Sequence, residues 1–408
     1  MKKYSDVHYG YVIVLCCCLI MGINVGLVMS CAGIFYHPVS ESLGVSVGTF
    51  GLYMSFNYLA STLALSVAGK LMDRFSARML LTLSSAVLGL CLIAMSFFNA
   101  VWQFYLAGSI IGVTLAFLLY LSFPTLINRW FRAKVGFFIG VCSAASGIGG
   151  ILFNPVGAYL ITAYGWRTTY GLFGAVVLLL VTPLLGLLLR NYPEEKGLSA
   201  YGEEDRKSAA VPDAGVAYTK AVRMPVFYGM MVFAFLMISV STLNLFIPNY
   251  VTDLGYTLEQ ASFTASAVMV GVTVGKVALG MINDKNNVLG VAATVLCGIA
   301  GLVLLLMGHA GIMAVMTGGF LFGWAYAVVT VQTPMLVRAV FGGKNYAQIY
   351  SNISIALAAG GALMAGAWGI VADHTTFGFT LSLGIVFLAV SGGIGVHALR
   401  PAPKMQND

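Results

Sequence analysis

The sequence has 408 residues, of which 59% are hydrophobic and only 9% are Asp, Glu, Lys or Arg. Soluble domains carry about 25% charged residues, so a soluble globular fold is excluded and most of this chain must face lipid. The seven cysteines all lie in apolar stretches and show neither a disulfide framework nor metal-ligand spacing, so we expect no metal site and no cofactor.

Long charge-free stretches predict the membrane spans. A spanning helix needs about 20 apolar residues, and counting stretches between ionisable side chains predicts twelve of them. The stretch 79–128 holds two spans with a hinge near Asn99, and the span at about 259–282 contains one charge, Lys276. The other spans are 9–36, 42–69, 135–166, 168–189, 224–252, 286–308, 310–337, 345–372 and 375–396.

Lys and Arg are distributed unevenly over the connections between these spans. Of the 21 basic residues, 19 lie in one alternate set of loops and termini, Arg167 lies in the other set, and Lys276 lies within a span. Basic loops are retained on the cytoplasmic side of a membrane. We therefore expect a multi-pass protein of the cytoplasmic (inner or plasma) membrane with both termini in the cytoplasm, and no nucleic-acid partner.

The spans divide into two sets of six that repeat. We expect an N-terminal bundle at 1–190, a cytoplasmic linker at 191–223 with a short surface helix in its last residues, a C-terminal bundle at 224–400 and a cytoplasmic tail at 401–408. Shifting the second half by 210 or 211 residues aligns Gly280 with Gly69, Asp284 with Asp73 and Pro334 with Pro124. Many secondary transporters are built from such repeats, with the substrate site between the halves.

The loop between the second and third spans, Gly69-Lys-Leu-Met-Asp73-Arg74-Phe-Ser-Ala-Arg78, resembles the signature loop of the major facilitator superfamily. Gly280-Met-Ile-Asn-Asp284-Lys285 resembles a degenerate second copy. The resemblance covers the whole chain and implies an all-α integral membrane fold of twelve helices in two pseudo-symmetric six-helix halves. It also implies a gating role for Gly69, Asp73, Arg74, Arg78, Gly280 and Asp284.

Four further motifs resemble the monocarboxylate porters and the oxalate:formate antiporter group. They are Gly33-Ile-Phe35-Tyr-His-Pro38, Pro124-Thr-Leu-Ile-Asn-Arg-Trp-Phe131, Tyr164-Gly-Trp-Arg167 and Asn345-Tyr346-Ala-Gln-Ile-Tyr350. This resemblance implies a small organic anion, and in particular a monocarboxylate, as substrate. The position of Lys276 usually carries Arg in that group, and the eleventh-span Lys of the oxalate exchanger is absent, which disfavours a dicarboxylate.

Lys276 is the strongest functional signal, because a base deep in a span costs roughly 3 kcal/mol or more without a partner or a polar cavity. The spans contain no Asp or Glu away from their ends, so we expect the substrate to supply the missing negative charge. Alternatively, Lys276 reaches the cytoplasmic interface about two turns away, near Asp284. Polar and aromatic residues near the middle of other spans are further candidates for substrate binding, although packing would also explain them: Asn24, Tyr53, Asn57, Tyr120, Asn244, Trp324, Tyr326 and Asn352.

These observations predict a monomeric secondary active transporter that moves a small organic anion by alternating access. Proton symport and anion exchange both stay open, and a carrier of a neutral or zwitterionic solute, with Lys276 structural, is the alternative. An enzyme is not expected, because the spans lack intramembrane acids, a His pair at metal spacing and a nucleophile with a base. A sensor is not expected either, since the longest extramembrane segment has only about 33 residues.

Overall fold

The computed structural model describes residues 8–202, 215–342 and 346–399, so the tail and the charged middle of the linker lie outside the described residues. Ten helical segments in this part of the chain are long and apolar enough to cross a membrane. One of them, Phe137–Leu188, contains two passes because Gly165 leaves the helical conformation, with φ 83° and ψ 160°. The 28-residue helix Val47–Arg74 supplies a further pass.

The described chain therefore makes twelve passes, which confirms the predicted all-α membrane fold. We number the passes in chain order. They are α1 (10–43), α2 (Val47–Arg74), α3 (Ala77–Met95), α4 (Val101–Trp130), α5 (135–164), α6 (166–188), α7 (225–253), α8 (Leu258–Lys285), α9 (Asn287–Leu306), α10 (Ile312–Phe341), α11 (Tyr346–His374) and α12 (Phe377–Leu399).

The boundary between α1 and α2 lies later in the chain than the charge pattern predicts. Gly44 adopts φ +65° and ends α1, and Ser46 Oγ accepts a hydrogen bond of 3.1 Å from the N–H of Thr49 at the start of α2. A left-handed glycine and an N-cap serine are the usual stop and start signals of helices. The second span therefore runs to Arg74, five residues beyond the predicted end.

Five passes are irregular near their middle, since α10 is interrupted by a turn at residues 328–331 and four others contain wide or tight helical turns. Segments Ile20–Ser30 of α1, Ala116–Leu121 of α4 and Val177–Val181 of α6 are π-helical, and Leu243–Leu245 of α7 is a 3₁₀ turn. Wide or tight turns inside a helix are frequent at functional sites, and transporters place their substrate sites at interrupted helices near the bilayer midplane. The irregular segments therefore mark the middle of the bundle as the region to search for a site.

The two ends of the bundle differ in how closely the halves meet. We call the end formed by residues 74–78, 131–134 and 189–202 the basic end, and the end formed by the turns 44–46, 96–100 and 254–257 the far end. At the far end the ring centroids of Tyr36 and Phe246, from opposite halves, are 5.3 Å apart in an edge-to-face contact. A Cβ on Gly33 would also lie 2.8 Å from the carbonyl oxygen of Leu245. The far end is thus closed.

Two pairs of helices form the seams between the halves. In the first seam, α2 packs on α11, with Gly48 against Gly369, Leu52 against Gly366 and Tyr58 against Gly361. In the second seam, α5 packs on α8, with Gly150 against Met269, Gly147 against Thr273, and Ser266 Oγ donating to the carbonyl of Ile151 at 3.1 Å. Small residues let helix backbones approach closely in a membrane. Both seams run from the far end to the middle of the bundle.

The linker is attached to both halves at equivalent positions. Tyr201 pairs with the chain just after α4, since its N–H donates to the carbonyl of Trp130 at 2.9 Å. Val216 pairs with the end of α10, where its N–H donates to the carbonyl of Phe341 at 2.8 Å. The residues Phe131 and Phe341, at these two attachment points, are related by the 210-residue repeat. The surface helix expected near the linker's end is a single turn, Tyr218–Ala221.

Candidate functional site

Lys276 lies on α8 nine residues before its end, which is about 14 Å along the helix axis. Its Nζ is 3.4 Å from the main-chain oxygen and 3.4 Å from Oγ of Ser143, which lies on α5 in the other half. No salt bridge to Lys276 is found in the part of the chain that the structure describes. The ammonium group therefore points at the interface between the halves and meets only neutral acceptors there.

Tyrosines from four helices lie together in the middle of the bundle. The phenol groups of Tyr58 on α2, Tyr120 on α4 and Tyr326 on α10 are close enough to interact electrostatically. Tyr120 is similarly close to Tyr350 on α11, whose ring stacks on Tyr346 at 5.7 Å. The cluster contains both predicted tyrosines of this region, Tyr120 and Tyr326, and it joins the two halves. A phenol supplies a hydrogen-bonding hydroxyl as well as an apolar ring face.

Trp324 lies against Gly275, the residue before Lys276, because α10 packs on α8 at this level. A Cβ added to Gly275 would lie 3.2 Å from Cα and 3.5 Å from Cγ of Trp324. The indole Nε1 is buried and has no hydrogen-bond acceptor among the described residues. A buried donor without an acceptor is costly, which makes it a natural contact for a bound anion.

The interior is open at the basic end. Tyr120 faces the interior, as its proximity to Tyr326 and Tyr350 requires, and it is nevertheless 40% exposed. Gly69 and Gly280, near the basic ends of α2 and α8, have no atom within 4 Å of an added Cβ. Since the far end is closed, the exposure of Tyr120 indicates a central cavity that solvent enters from the basic end.

Three predicted residues of the first half have no contact with Lys276 among the contacts of the described residues. Asn24 is fully buried, and its Nδ2 donates to Ser85 Oγ on α3 at 2.9 Å, inside the N-terminal half. Tyr53 packs among aromatic rings nearer the far end, 5.9 Å from the ring of Tyr36. Asn57 is 1% exposed, and neither atom of its amide has a hydrogen-bond partner among the described residues. The structure does not bring these three side chains into one group with the ammonium.

Two predicted residues of the second half have different surroundings. Asn244 is buried in the 3₁₀ turn of α7, and its Oδ1 has no donor among the described residues. Asn352 donates from Nδ2 to the carbonyl of Gln348 at 2.9 Å, so that part of its amide is bonded to its own helix. The Oδ1 of Asn244 is therefore an unused acceptor in the middle of the bundle. In Asn352 only the amide nitrogen is bonded to its own helix, which leaves the amide oxygen for a ligand.

The predicted gating residues lie at the basic end. Arg78 donates from Nε to the carbonyl of Gly186 on α6 at 2.7 Å, and Arg74 lies over the ring of Phe75 at 5.7 Å. The side chains of Asp73 and Asp284 lie outside the described residues. Arg129 on α4 donates to the carbonyl of Met72 at 3.2 Å, so a basic residue is adjacent to the position of Asp73.

Sequence reasoning missed three residues of this cavity. Ser143 carries no signal of its own, since serines are common in these spans, and only the register of α5 against α8 brings it to Lys276. Tyr58 is the neighbour of the predicted Asn57 and faces the other half, where Gly361 packs on its ring. Tyr350 is the last residue of the motif that begins at Asn345. The motif contains it, but the sequence did not predict that it binds substrate.

A polytopic bundle of two halves around a cavity that opens at one end is the architecture of a membrane transporter. The family profile described as the Major Facilitator Superfamily matches residues 18–363. The chain belongs to the Major Facilitator Superfamily, a family of transporters.

Known proteins resemble the chain in sequence and in fold. The uncharacterized MFS-type transporter YhjX of Escherichia coli (strain K12) is 25% identical over 341 residues, which cover 79% of this chain and 80% of that protein. Monocarboxylate transporter 4 of Gallus gallus is 27% identical over 277 residues, 64% of this chain and 54% of that protein. The chain spans about half the length of several curated relatives that it matches.

Among solved structures, a bacterial homologue of the human lysosomal transporter Spinster, in an inward-facing and unoccupied conformation, has a TM-score of 0.75. The comparison covers 99% of both chains at 14% sequence identity. At this identity the match shows the fold alone, and it supports the assignment of the twelve helices to one transporter architecture.

Proposed function

We propose that this transporter moves a small organic anion, most readily a monocarboxylate, by alternating access, with Lys276 as the anion contact. The observation that carries the proposal is the direction of the Lys276 ammonium, which points across the interface at neutral acceptors 3.4 Å away. A carboxylate is the stronger partner for an ammonium group, and binding one in a partly dry cavity forms a charge-assisted hydrogen bond. The substrate then supplies the charge that the spans lack.

Further hydrogen-bond donors in the interior of the bundle support an anionic substrate. The N–H of Trp324 lacks an acceptor among the described residues, and the hydroxyls of Tyr120 and Tyr326 are donors on neighbouring helices. A carboxylate has two oxygens and accepts several hydrogen bonds at once. The aromatic rings favour a substrate with an apolar portion next to its carboxylate, which agrees with a monocarboxylate. The similarity to the chicken relative, which is named monocarboxylate transporter 4, supports the same class.

Two driving mechanisms fit this site. In symport, a proton enters with the anion; in exchange, one anion leaves as another enters. The lack of Asp and Glu inside the spans argues against a dedicated acidic proton relay, whereas exchange of anions needs no proton carrier. Measuring whether uptake into protein-containing vesicles requires an imposed pH gradient or an internal anion distinguishes symport from exchange.

We further propose that the basic end faces the cytoplasm, that the protein lies in the cytoplasmic membrane and that it acts as a monomer with bundles at 1–190 and 224–400. The distribution of Lys and Arg supports the orientation. In this orientation the cavity opens to the cytoplasm and the closed far end faces outwards.

A binding screen on the purified full chain tests the proposed function. The probes are acetate, lactate, benzoate and 3-phenylpropionate, each with its neutral amide as a matched control. Ligands that bind the folded state raise the melting temperature, so at least one acid should raise it more than its amide does. Equal stabilisation by acids and amides would favour a carrier of neutral or zwitterionic solutes, and no stabilisation by any acid would contradict the proposal.

A further inference from the structure

Ser143 is the residue of the opposite half that Lys276 contacts. The ammonium meets two atoms of this one serine, its main-chain oxygen and its Oγ, both at 3.4 Å. Strong charge-assisted bonds are shorter, at about 2.7–2.9 Å, and their acceptors are charged. The contact therefore satisfies the ammonium only weakly, and an incoming carboxylate can replace it.

The two acceptors of Ser143 are not equivalent. Its carbonyl also accepts a hydrogen bond from Ser146 Oγ at 2.9 Å, so the ammonium shares this oxygen with another side-chain donor. Its hydroxyl can rotate, and a substitution changes it without disturbing the backbone of α5. The side chain of Ser143 is thus the adjustable part of the contact.

The contact also has a defined place in the second seam. Moving from the far end towards the basic end, the successive contacts between α5 and α8 are Gly150 with Met269, Gly147 with Thr273, and then Ser143 with Lys276. In the first two contacts a glycine of α5 lies against a side chain of α8, which lets the two helices approach closely. The seam also holds a polar contact nearer the far end, Ser266 with Ile151, but the contact between Ser143 and Lys276 is the one with a charged side chain, and it lies where the seam meets the cavity.

Resting on the proposed function, we propose that Ser143 is a positioning residue that holds Lys276 at the interface while the site is empty and gives it up to the substrate carboxylate. The contact joins the two halves. When Lys276 leaves Ser143 and binds the substrate carboxylate, this contact between the halves is lost, so that binding of substrate is coupled to the interface. Without substrate, the contact between Lys276 and Ser143 bridges the second seam. With substrate bound, Lys276 contacts the substrate carboxylate instead.

A pair of variants tests the competition directly. Ser143→Asp places a permanent carboxylate beside Lys276, and Ser143→Asn places a neutral side chain of nearly the same shape there. We expect Ser143→Asp to weaken binding of the best acid by about 30-fold or more, the range for loss of a buried charged partner, and Ser143→Asn to weaken it far less. Equal affinities of the two variants for the acid would overturn the role of Ser143.

The affinity of Ser143→Ala for the acid distinguishes a positioning role from a merely structural one, because loss of a structural contact would not change this affinity selectively. Removing the competing hydroxyl should raise affinity for the acid by up to about fivefold, since a hydrogen bond as long as 3.4 Å is weak for a charged donor and is worth about 1 kcal/mol. The gain should be absent for the matched amide and absent when Lys276→Gln is combined with Ser143→Ala. A gain of equal size in the Lys276→Gln background would show that Ser143 acts without Lys276.

Lys276→Gln measured alone separates the two proposals. If this variant binds the acids as tightly as the wild type, the proposed function fails. If it loses acid binding while Ser143→Asp and Ser143→Asn still behave alike, the proposed function stands and only the role of Ser143 fails. Melting temperatures of all variants without ligand identify any variant that is not folded.

Discussion

The N–H of Gly48 donates a hydrogen bond to Oδ2 of Asp373, 3.0 Å away, and so joins the first turn of α2 to the last turn of α11. The carboxylate lies at the N-terminus of a helix, where the free N–H groups and the helix dipole favour negative charge. The backbones also approach closely here, since a Cβ on Gly48 would lie 2.6 Å from the carbonyl carbon of Gly369. This contact closes the far end of the first seam.

Gly48→Ala should therefore act as a wedge that opens the far end. The added methyl would overlap the backbone of Gly369 and the carboxylate of Asp373, and overpacking of this kind costs about 1–3 kcal/mol. If the cost falls only on the closed state, the ratio of open to closed molecules rises roughly 5- to 150-fold. Spin labels at Ser42 and Thr375, both exposed at the far end, should report longer distances.

The matched control is Gly393→Ala on α12, where an added Cβ meets nothing within 4 Å. This variant should leave the distance distribution unchanged. Asp373→Ala, which removes the cap without adding bulk, should shift the same distribution in the direction of Gly48→Ala but less strongly, because a cap contributes about 1 kcal/mol. A distribution identical to the wild type in Gly48→Ala would rule out this closure.

A reciprocal amide pair should stabilise the C-terminal half. Asn283 Nδ2 donates to Gln332 Oε1 at 2.7 Å, and Gln332 Nε2 donates back to Asn283 Oδ1 at 3.0 Å, with both side chains buried between α8 and α10. Gln332→Met keeps the length of the side chain and leaves the Asn283 amide without its partner. We expect the free energy of unfolding to fall by about 1–3 kcal/mol.

The comparison variant is Gln348→Met, which makes the same change at an exposed position on α11. Its melting temperature in detergent should stay close to that of the wild type, while Gln332→Met should melt at a lower temperature. Similar melting temperatures for the two variants would mean that the buried amide pair contributes no net stability.

The twelve spans could be predicted because charge and apolar length are local properties of the sequence. Ionisable side chains are costly in hydrocarbon, so their positions mark the loops. The shifted start of α2 shows the limit of this rule, since Gly44 and Ser46 set the boundary through backbone conformation and capping, which a charge count does not detect.

The cavity was only partly predictable, because it depends on which helix faces meet. Lys276 stands out by its charge alone, and Tyr120 and Tyr326 lie where the sequence predicts them, in the middle of the bundle. The sequence predicts Asn24 from its depth in the same way, yet it faces α3 within its own half. A single sequence gives the depth of a residue in its span but not its rotation about the helix axis, and this rotation determines which side chains meet.

Chemical labelling should give the orientation of the bundle. Cysteines placed at Ser208 in the linker and at Thr375 at the far end, in a background without the accessible native cysteines, should react with an impermeant reagent from opposite sides. Ser208 should be reached only from the cytoplasm and Thr375 only from outside, as the distribution of basic residues requires. Reaction of both positions from one side would refute the twelve-pass topology.

Asp73→Asn should slow transport more than it weakens binding. By resemblance to the superfamily, we expect Asp73 to help close the basic end through charge-assisted bonds to a nearby Arg and to a helix N-terminus, and the substitution keeps the shape but removes the charge. Asp284→Asn should have a smaller effect, because its loop lacks the trailing arginines of the first copy. Uptake rates and binding constants measured on the same preparations compare transport with substrate binding. Uptake by Asp73→Asn at the wild-type rate would argue against a gating role.

Lys276→Gln should nearly abolish uptake of the anion, because it removes the one charge that lies deep within a span. Losing a buried charged partner costs about 2–5 kcal/mol, which corresponds to a loss of affinity of roughly 30- to 5,000-fold. Lys276→Arg should retain part of the uptake, since the charge stays while the planar guanidinium demands a different substrate pose. If Lys276 instead served only to reach the membrane interface, both variants would transport normally. Binding measured with each acid and its amide decides between these roles: the amide should bind wild type and Lys276→Gln alike, and only the acid should distinguish them.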